Sequence, residues 1–227
     1  MEKVELTILM PCLNEEKTIG QCIEEAKRFI EESGVEAEIL IADNKSTDNS
    51  VQIAIASGAR VVTVEDKGYG NALLGGIKQA RGRYIIMGDC DMSYDFYNLD
   101  GFLKELRQGS ALVVGNRFAG GIVKGAMPFS HKYIGVPFLS WFGRVKYKTN
   151  IVDFHCGLRG FDREKALELN MKCGGMEFAT EIIACFAKSG EKITQIPTVL
   201  RRDGRGHSSH LNTVRDGIRH LVYMLKN

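Results

Sequence analysis

AEILIADNKSTDNSVQIAIASGARVVTV, residues 37–64, reads as strand, polar loop, helix and strand. The apolar run Ala37–Asp43 is followed by a segment of helical period, Asp48–Ser57, and then by a second apolar run, Ala59–Val64. A helix between two strands is a crossover, and crossovers join parallel strands. The same unit extends in both directions. Before it stand Val4–Met10 and a helical segment, Lys17–Ser33; after it come a helix at Gly70–Ala80, a strand at Gly82–Gly88, a helix at Phe96–Arg107 capped by Asp95, and a fifth run, Ser110–Asn116. Repeated βαβ units predict an α/β protein with a mostly parallel, Rossmann-like sheet flanked by helices.

The regularity stops there. Arg117–Phe161 is irregular and rich in glycine and aromatics, with one helix expected at Ser130–Lys146. Helices at Arg163–Asn170 and Met176–Lys188, a strand at Lys192–Leu200 and a basic helix at Asn212–Lys226 complete the expected order. No linker marks a second domain. Residues 1–227 read as one catalytic unit, with a ligand-binding half at 1–116, an acceptor half at 117–200 and a basic tail at 201–227.

Of 227 residues, 44% are hydrophobic and 26% charged, the profile of a folded chain. A net charge of +2 gives no general drive toward nucleic acid. The six cysteines form no Cys-x-x-Cys pair and follow no signal peptide, which points to reduced thiols in a cytoplasmic protein. The most apolar window, Tyr133–Gly143, is about half the roughly 20 residues of a membrane span. The tail is different in character: Arg201–Asn227 holds six Lys/Arg against two Asp. Its last helix spaces Val214, Ile218, Leu221, Val222 and Leu225 as an apolar face, which suits either packing on the domain or an anionic membrane surface.

Ligands of open parallel sheets bind beyond the carboxyl ends of the strands. The first such turn, Pro11-Cys12-Leu13-Asn14-Glu15, lacks the glycines of a dinucleotide site, and no Gly-x-x-x-x-Gly-Lys-Ser/Thr occurs anywhere. After the fourth run stands GDCDMSYD, residues 88–95. Read alone, its aspartates are ordinary turn and cap residues. In an extended segment, however, Asp89 and Asp91 face the same way with Cys90 aside, and Mg²⁺ or Mn²⁺ binds through one or two carboxylates plus substrate phosphates. Asn14, Glu15, Asp43 and Asn44 suit a base and ribose, while Arg117 and Arg202 suit a pyrophosphate. Together these loops suggest a nucleoside diphosphate with a metal.

ILMPCLNEEKTI (8–19), ILIADNKSTDNS (39–50), KGYGNALLGGI (67–77), GDCDMSYDF (88–96), GNRFAGGIVKGAMP (115–128), DFHCGLRGF (153–161), GMEFATEI (175–182) and GRGHSSHLNTVRDGIRHL (204–221) resemble, in order and spacing, the family 2 glycosyltransferases. The branch they resemble most contains dolichyl-phosphate mannosyltransferases and undecaprenyl-phosphate glycosyltransferases. The resemblance implies a GT-A fold, Mg²⁺ or Mn²⁺, and inverting transfer of a hexose from a nucleotide sugar, UDP-glucose before GDP-mannose, to a polyprenyl phosphate. It implies a nucleotide-sugar pocket of Pro11, Leu13, Glu15, Asp43, Gly70, Asp89, Cys90 and Asp91. Asp89, Asp91 and Ser93 would serve the metal, and Arg117, His131, Asp153, Arg202 and Ser208 the acceptor. Asp89, Asp91, Arg117 and Arg202 would be catalytic, with Glu177 and Glu181 facing the sugar or supporting the site. The expected location is the cytoplasmic face of a membrane, bound peripherally, with homo-oligomers left open. A soluble sugar or protein acceptor is the alternative, and a non-catalytic nucleotide-binding protein a remote one. Cys90, Met92 and Val136 depart from the relatives' usual residues. Asp153 is read as a structural hydrogen-bond acceptor before a base, Cys156 as a buried small hydrophobe, and Met176 and Phe178 as core.

Overall fold

Among the described residues, seven strands build one sheet: β1 (Leu6–Cys12), β2 (Ala37–Asp43), β3 (Arg60–Thr63), β4 (Tyr84–Met87), β5 (Leu112–Asn116), β6 (Arg159–Asp162) and β7 (Ile193–Pro197), in the order β3-β2-β1-β4-β6-β5-β7. This is a computed structural model, and it describes residues 4–206 and 213–227. The central strands are apolar on both faces because helices cover both. Leu6, Ile8, Leu9, Leu40, Ile41, Ile85 and Ile86 are fully buried. Helix α1 (Ile19–Ser33) buries Ile19, Cys22, Ile23, Ala26 and Phe29, the i, i+3, i+4, i+7 stripe that its sequence predicts.

The expected parallel arrangement holds for β1 through β4 and for β5 with β7. One strand escaped the sequence reading. β6 runs antiparallel between β4 and β5, with Ile86 opposite Gly160 and Val113 also opposite Gly160. Its four residues, Arg-Gly-Phe-Asp, carry neither an apolar run nor an alternation. Arg159 is fully buried, and its guanidinium donates to the carbonyls of Cys156, Ala179 and Phe154 at 2.7–2.8 Å. Three carbonyl partners make burial of that charge tolerable.

The remaining helices are α2 (Ser50–Ala56), α3 (Tyr69–Gln79), α4 (Asp100–Arg107), α5 (Arg117–Gly120), α6 (Val136–Tyr147), α7 (Arg163–Glu168), α8 (Phe178–Lys188) and α9 (Thr213–Lys226), and a π-helical turn, His131–Gly135, precedes α6. The short α5 was not anticipated. Helix α4 begins at Asp100, so Asp95 is not its N-cap. Asp95 instead accepts from the Tyr97 amide at 3.1 Å and pairs with Arg201. Helix α9 buries Asp216, His220 and Met224 and leaves Ile218, Val222 and Leu225 exposed. The apolar stripe seen in its sequence is thus largely turned outward.

Candidate active site

The carboxyl ends of β1, β2, β4 and β5 open onto a cavity of about 720 Å³, a size typical of small-ligand sites. Pro11, Leu13 and Glu15 line it from the first loop, Asn44 from the second, and Asp89, Cys90, Asp91 and Ser93 from the fourth. Arg117 and His131 also line it. The structure therefore brings most of the expected residues to one place.

The aspartates lie just past β4, in a bend rather than an extended strand, and Cys90 also reaches the cavity. The Cys90 thiol donates to the Pro11 carbonyl at 3.1 Å, tying the bend to β1. Asp91 Oδ1 accepts from the Ser93 amide at 2.9 Å and from Ser93 Oγ at 2.5 Å, so Ser93 orients Asp91. Asp91 Oδ2 accepts from Arg205 at 2.5 Å, and Arg205 also reaches Glu15 Oε1 at 3.3 Å. Asp89 and Tyr69 both stand on the cavity wall. A Cβ at residue 157 would stand 2.7 Å from Asp89 Oδ2, so Gly157 makes room for the carboxylate. Burial first, and the Asp91 charge second, push Asp89 up to about 6.

Several expected residues sit elsewhere. Asp43 does not line the cavity; its carboxylate accepts the Lys45 and Ser46 amides and shapes its own loop. Gly70 is likewise off the cavity wall: a Cβ there would lie 2.0 Å from the Cys173 carbonyl oxygen, so glycine lets α3 meet the 173–175 backbone. Arg202 is exposed and donates to the Lys124 carbonyl at 2.6 Å; Arg205, three residues on, faces the cavity instead. Asp153 is buried behind Arg117. Its two oxygens accept from the Arg117 guanidinium at 2.7 Å each, which leaves it an orienting role. Ser208 lies outside the described residues. Glu181 accepts the Lys172 and Cys173 amides and Glu177 pairs with Arg219 at 2.8 Å, so both support the wall. Met176 lines the cavity, contrary to its reading as core, whereas Phe178 and Cys156 are fully buried.

Sequence reasoning passed over Arg205, His155 and His220, all at the cavity. The two histidine rings meet edge to face at 4.5 Å between centroids, and His220 Nδ1 lies 2.8 Å from Thr180 Oγ1. Burial lowers His220 to about 4 against the opposing pull of Glu177 and Asp216, and burial followed by the repulsion of neighbouring cations holds His155 well below its usual value. An unfolded chain takes up protons at these positions near pH 6.5, before the folded chain does. Stability present at pH 7 is therefore lost as the pH falls from about 6.5 toward 4. His220→Gln should remove up to one proton's worth of that dependence, about 3 kcal/mol across the window. Urea unfolding at a series of pH values measures it, and an unchanged slope would refute the assignment.

The strand order and the carboxylate-rich bend after β4 define a GT-A glycosyltransferase fold. The crystal structure of glucosyl-3-phosphoglycerate synthase from Mycobacterium tuberculosis with Mn²⁺, UDP and phosphoglyceric acid matches it at a TM-score of 0.76, with 22% identity over 97% of this chain and 77% of that one. Residues 7–169 match the model for Glycosyl transferase family 2, and the chain belongs to that family. The low-salt glycan biosynthesis hexosyltransferase Agl6 of Haloferax volcanii is 39% identical over 98% of this chain. The chain spans 53% of that relative's length. A dolichyl-phosphate hexose transferase of the same organism is 27% identical over 87% of this chain and 83% of its own. The human dolichyl-phosphate beta-glucosyltransferase is 28% identical over 71% and 56%.

Proposed function

We propose that this chain transfers a hexose, with inversion, from a nucleoside diphosphate sugar to a polyprenyl phosphate at an anionic membrane surface. The observation that carries the reading is an apolar rim beside a charged cavity. The π-helical turn and α6 contribute His131, Gly135, Val136 and Leu139 to the cavity wall, while Tyr133, Ile134, Phe138, Trp141 and Val145 on the same elements are exposed. Lys132, Arg144 and Lys146 intersperse them. Helix α6 packs against α9, whose Ile218, Val222 and Leu225 are also exposed. Large exposed apolar side chains among basic ones suit a lipid surface, and the relatives named for dolichyl phosphate act on such a lipid. No helix among the described residues is long and apolar enough to cross a membrane.

The donor set fits a hard cation. No group of three His, Cys, Asp or Glu side chains converges among the described residues, and Mg²⁺ or Mn²⁺ needs only one or two carboxylates when phosphates complete its shell. Asp91 and Asp89 would hold it, with Ser93 orienting Asp91. The ion would neutralise charge on the departing nucleoside diphosphate. The acceptor phosphate oxygen, already anionic, attacks the anomeric carbon as the bond to the diphosphate breaks, so no general base is required. Arg117, held rigid by Asp153, places fixed positive charge on the acceptor side. Residues 1–116 supply the donor wall and later residues the acceptor wall, with UDP-glucose the preferred donor and GDP-mannose next.

A transfer screen of UDP- and GDP-sugars with Mn²⁺ and short polyprenyl phosphates tests the reading. Transfer only to soluble acceptors, such as the phosphoglycerate held by the mycobacterial enzyme, would overturn it. Vesicle flotation tests the rim: the chain should float with anionic lipid, and Phe138→Ser with Trp141→Ser should lower the bound fraction several-fold. Failure of the unsubstituted chain to float would count against the membrane.

A further inference from the structure

The segment 200–205 runs along the cavity wall and is fastened to the loop that carries Asp91. The Arg201 amide donates to the Ser93 carbonyl and the Gly204 amide to the Asp91 carbonyl, each at 2.9 Å. The Arg201 side chain bonds Glu25 at 2.7 Å and pairs with Asp95. From this fixed backbone Arg205 reaches inward, with its side chain 14% exposed, to Asp91 at 2.5 Å and Glu15 at 3.3 Å. Its buried Nε has no hydrogen-bond partner among the described residues.

Asp91 has little acceptor capacity left, with one position open on Oδ2. Oδ1 is used twice by Ser93 and Oδ2 by Arg205. A divalent ion must approach a carboxylate oxygen to about 2.0–2.1 Å for Mg²⁺, and the Arg205 guanidinium 2.5 Å from Oδ2 sets a second cation beside the one oxygen with room for it. Of the groups on Asp91, the Ser93 amide is backbone, whereas Arg205 ends a long side chain that can swing while its own backbone stays fastened. The acidic cluster needs positive charge in every state, because buried carboxylates left unpaired are costly.

We propose that Arg205 is the resident cation of Asp91, standing in the place of the divalent ion and moving onto the diphosphate when the ion and donor enter. The proposal rests on the metal–diphosphate reading above and adds an exchange of one cation for another. It makes Arg205 a positioning residue with opposite effects on two ligands. Removing its charge helps the metal alone and harms the diphosphate.

Mn²⁺ binding to the full chain without nucleotide, followed by the paramagnetic resonance of free Mn²⁺, tests it. Arg205→Gln should bind Mn²⁺ about tenfold more tightly than the unsubstituted chain, and at saturating Mn²⁺ it should bind UDP and GDP about tenfold more weakly. Arg205→Lys should restore both affinities toward the starting values. Equal or weaker Mn²⁺ binding by Arg205→Gln, or a loss of both affinities together, overturns the exchange. If neither chain binds Mn²⁺ with or without UDP or GDP, the metal reading itself falls and the exchange with it. A measurement on the unsubstituted chain guards against a misfolded variant. Mn²⁺ alone should speed phenylglyoxal modification of the Arg205 guanidinium, read by mass spectrometry, several-fold by freeing its side chain, and an unchanged rate refutes the displacement.

Discussion

Asp91→Ala should lower hexose transfer by about a thousandfold or more at saturating Mn²⁺. Removing one group that stabilises developing charge in a water-poor site commonly costs about 10²–10³ in rate, and here the lost carboxylate is also the proposed anchor for the ion. The substitution leaves little else to compensate. Asp89 alone remains of the two carboxylates proposed to hold the ion, and Arg205, with Asp91 gone, keeps Glu15 at 3.3 Å and Asp203 at 4.0 Å. Steady-state kinetics with a nucleotide-sugar donor measure the loss. Full activity of Asp91→Ala in a metal-replete assay would sink the metal role of this residue.

Asp153→Ala should be the most damaging substitution for stability, at about 3–5 kcal/mol. Asp153 is fully buried and accepts four hydrogen bonds: two from the Arg117 guanidinium, one from the Arg117 amide and one from the His155 amide. Without it, a buried guanidinium loses its counter-charge and two amides lose their acceptor. The ion pair as a whole is a different matter, because replacing both partners with apolar side chains of similar volume is often close to neutral. Asp153→Leu combined with Arg117→Met should therefore recover the part of the loss that comes from the unpaired guanidinium but not the part from the two amides, while transfer stays low because the acceptor-side charge is gone. Urea unfolding of the single and double variants separates the two effects. A double variant as unstable as Asp153→Ala would show that the site depends on this pair for its shape as well as its charge.

The first half of the molecule was legible because burial on both faces of a parallel sheet leaves continuous apolar runs, and α1 and α3 carry a clear helical period. The second half was not. Arg159-Gly160-Phe161-Asp162 forms a strand only because β4 and β5 lie on either side of it, and nothing local in four residues announces that. The site divides in the same way. Pro11 sits near the end of β1, and Leu13, Glu15, Asp89 and Asp91 follow regular strands whose ends are predictable. Arg202 and Arg205 occupy an irregular segment without a period to tell inward from outward, and the structure turns Arg205 inward. Asp43 and Asp153 are carboxylates spent on local hydrogen bonds, a use invisible until the partners are placed. In α9 the apolar spacing was plain, but its buried face proved to be Asp216, His220 and Met224, of which Asp216 and His220 line the cavity.

The strand order carries a consequence for synthesis. A nascent chain that has left the ribosome as far as residue 116 contains β1 to β5, yet among the described residues β5 pairs with β6 and β7 alone. Until residues 159–162 emerge, β4 presents an unpaired edge and β5 has no strand beside it. Open edges of that kind invite pairing with other chains. The donor and acceptor walls are therefore not separable modules: a fragment ending near residue 116 should aggregate rather than bind nucleotide, and grafts that exchange one wall for a relative's must carry β6 with them.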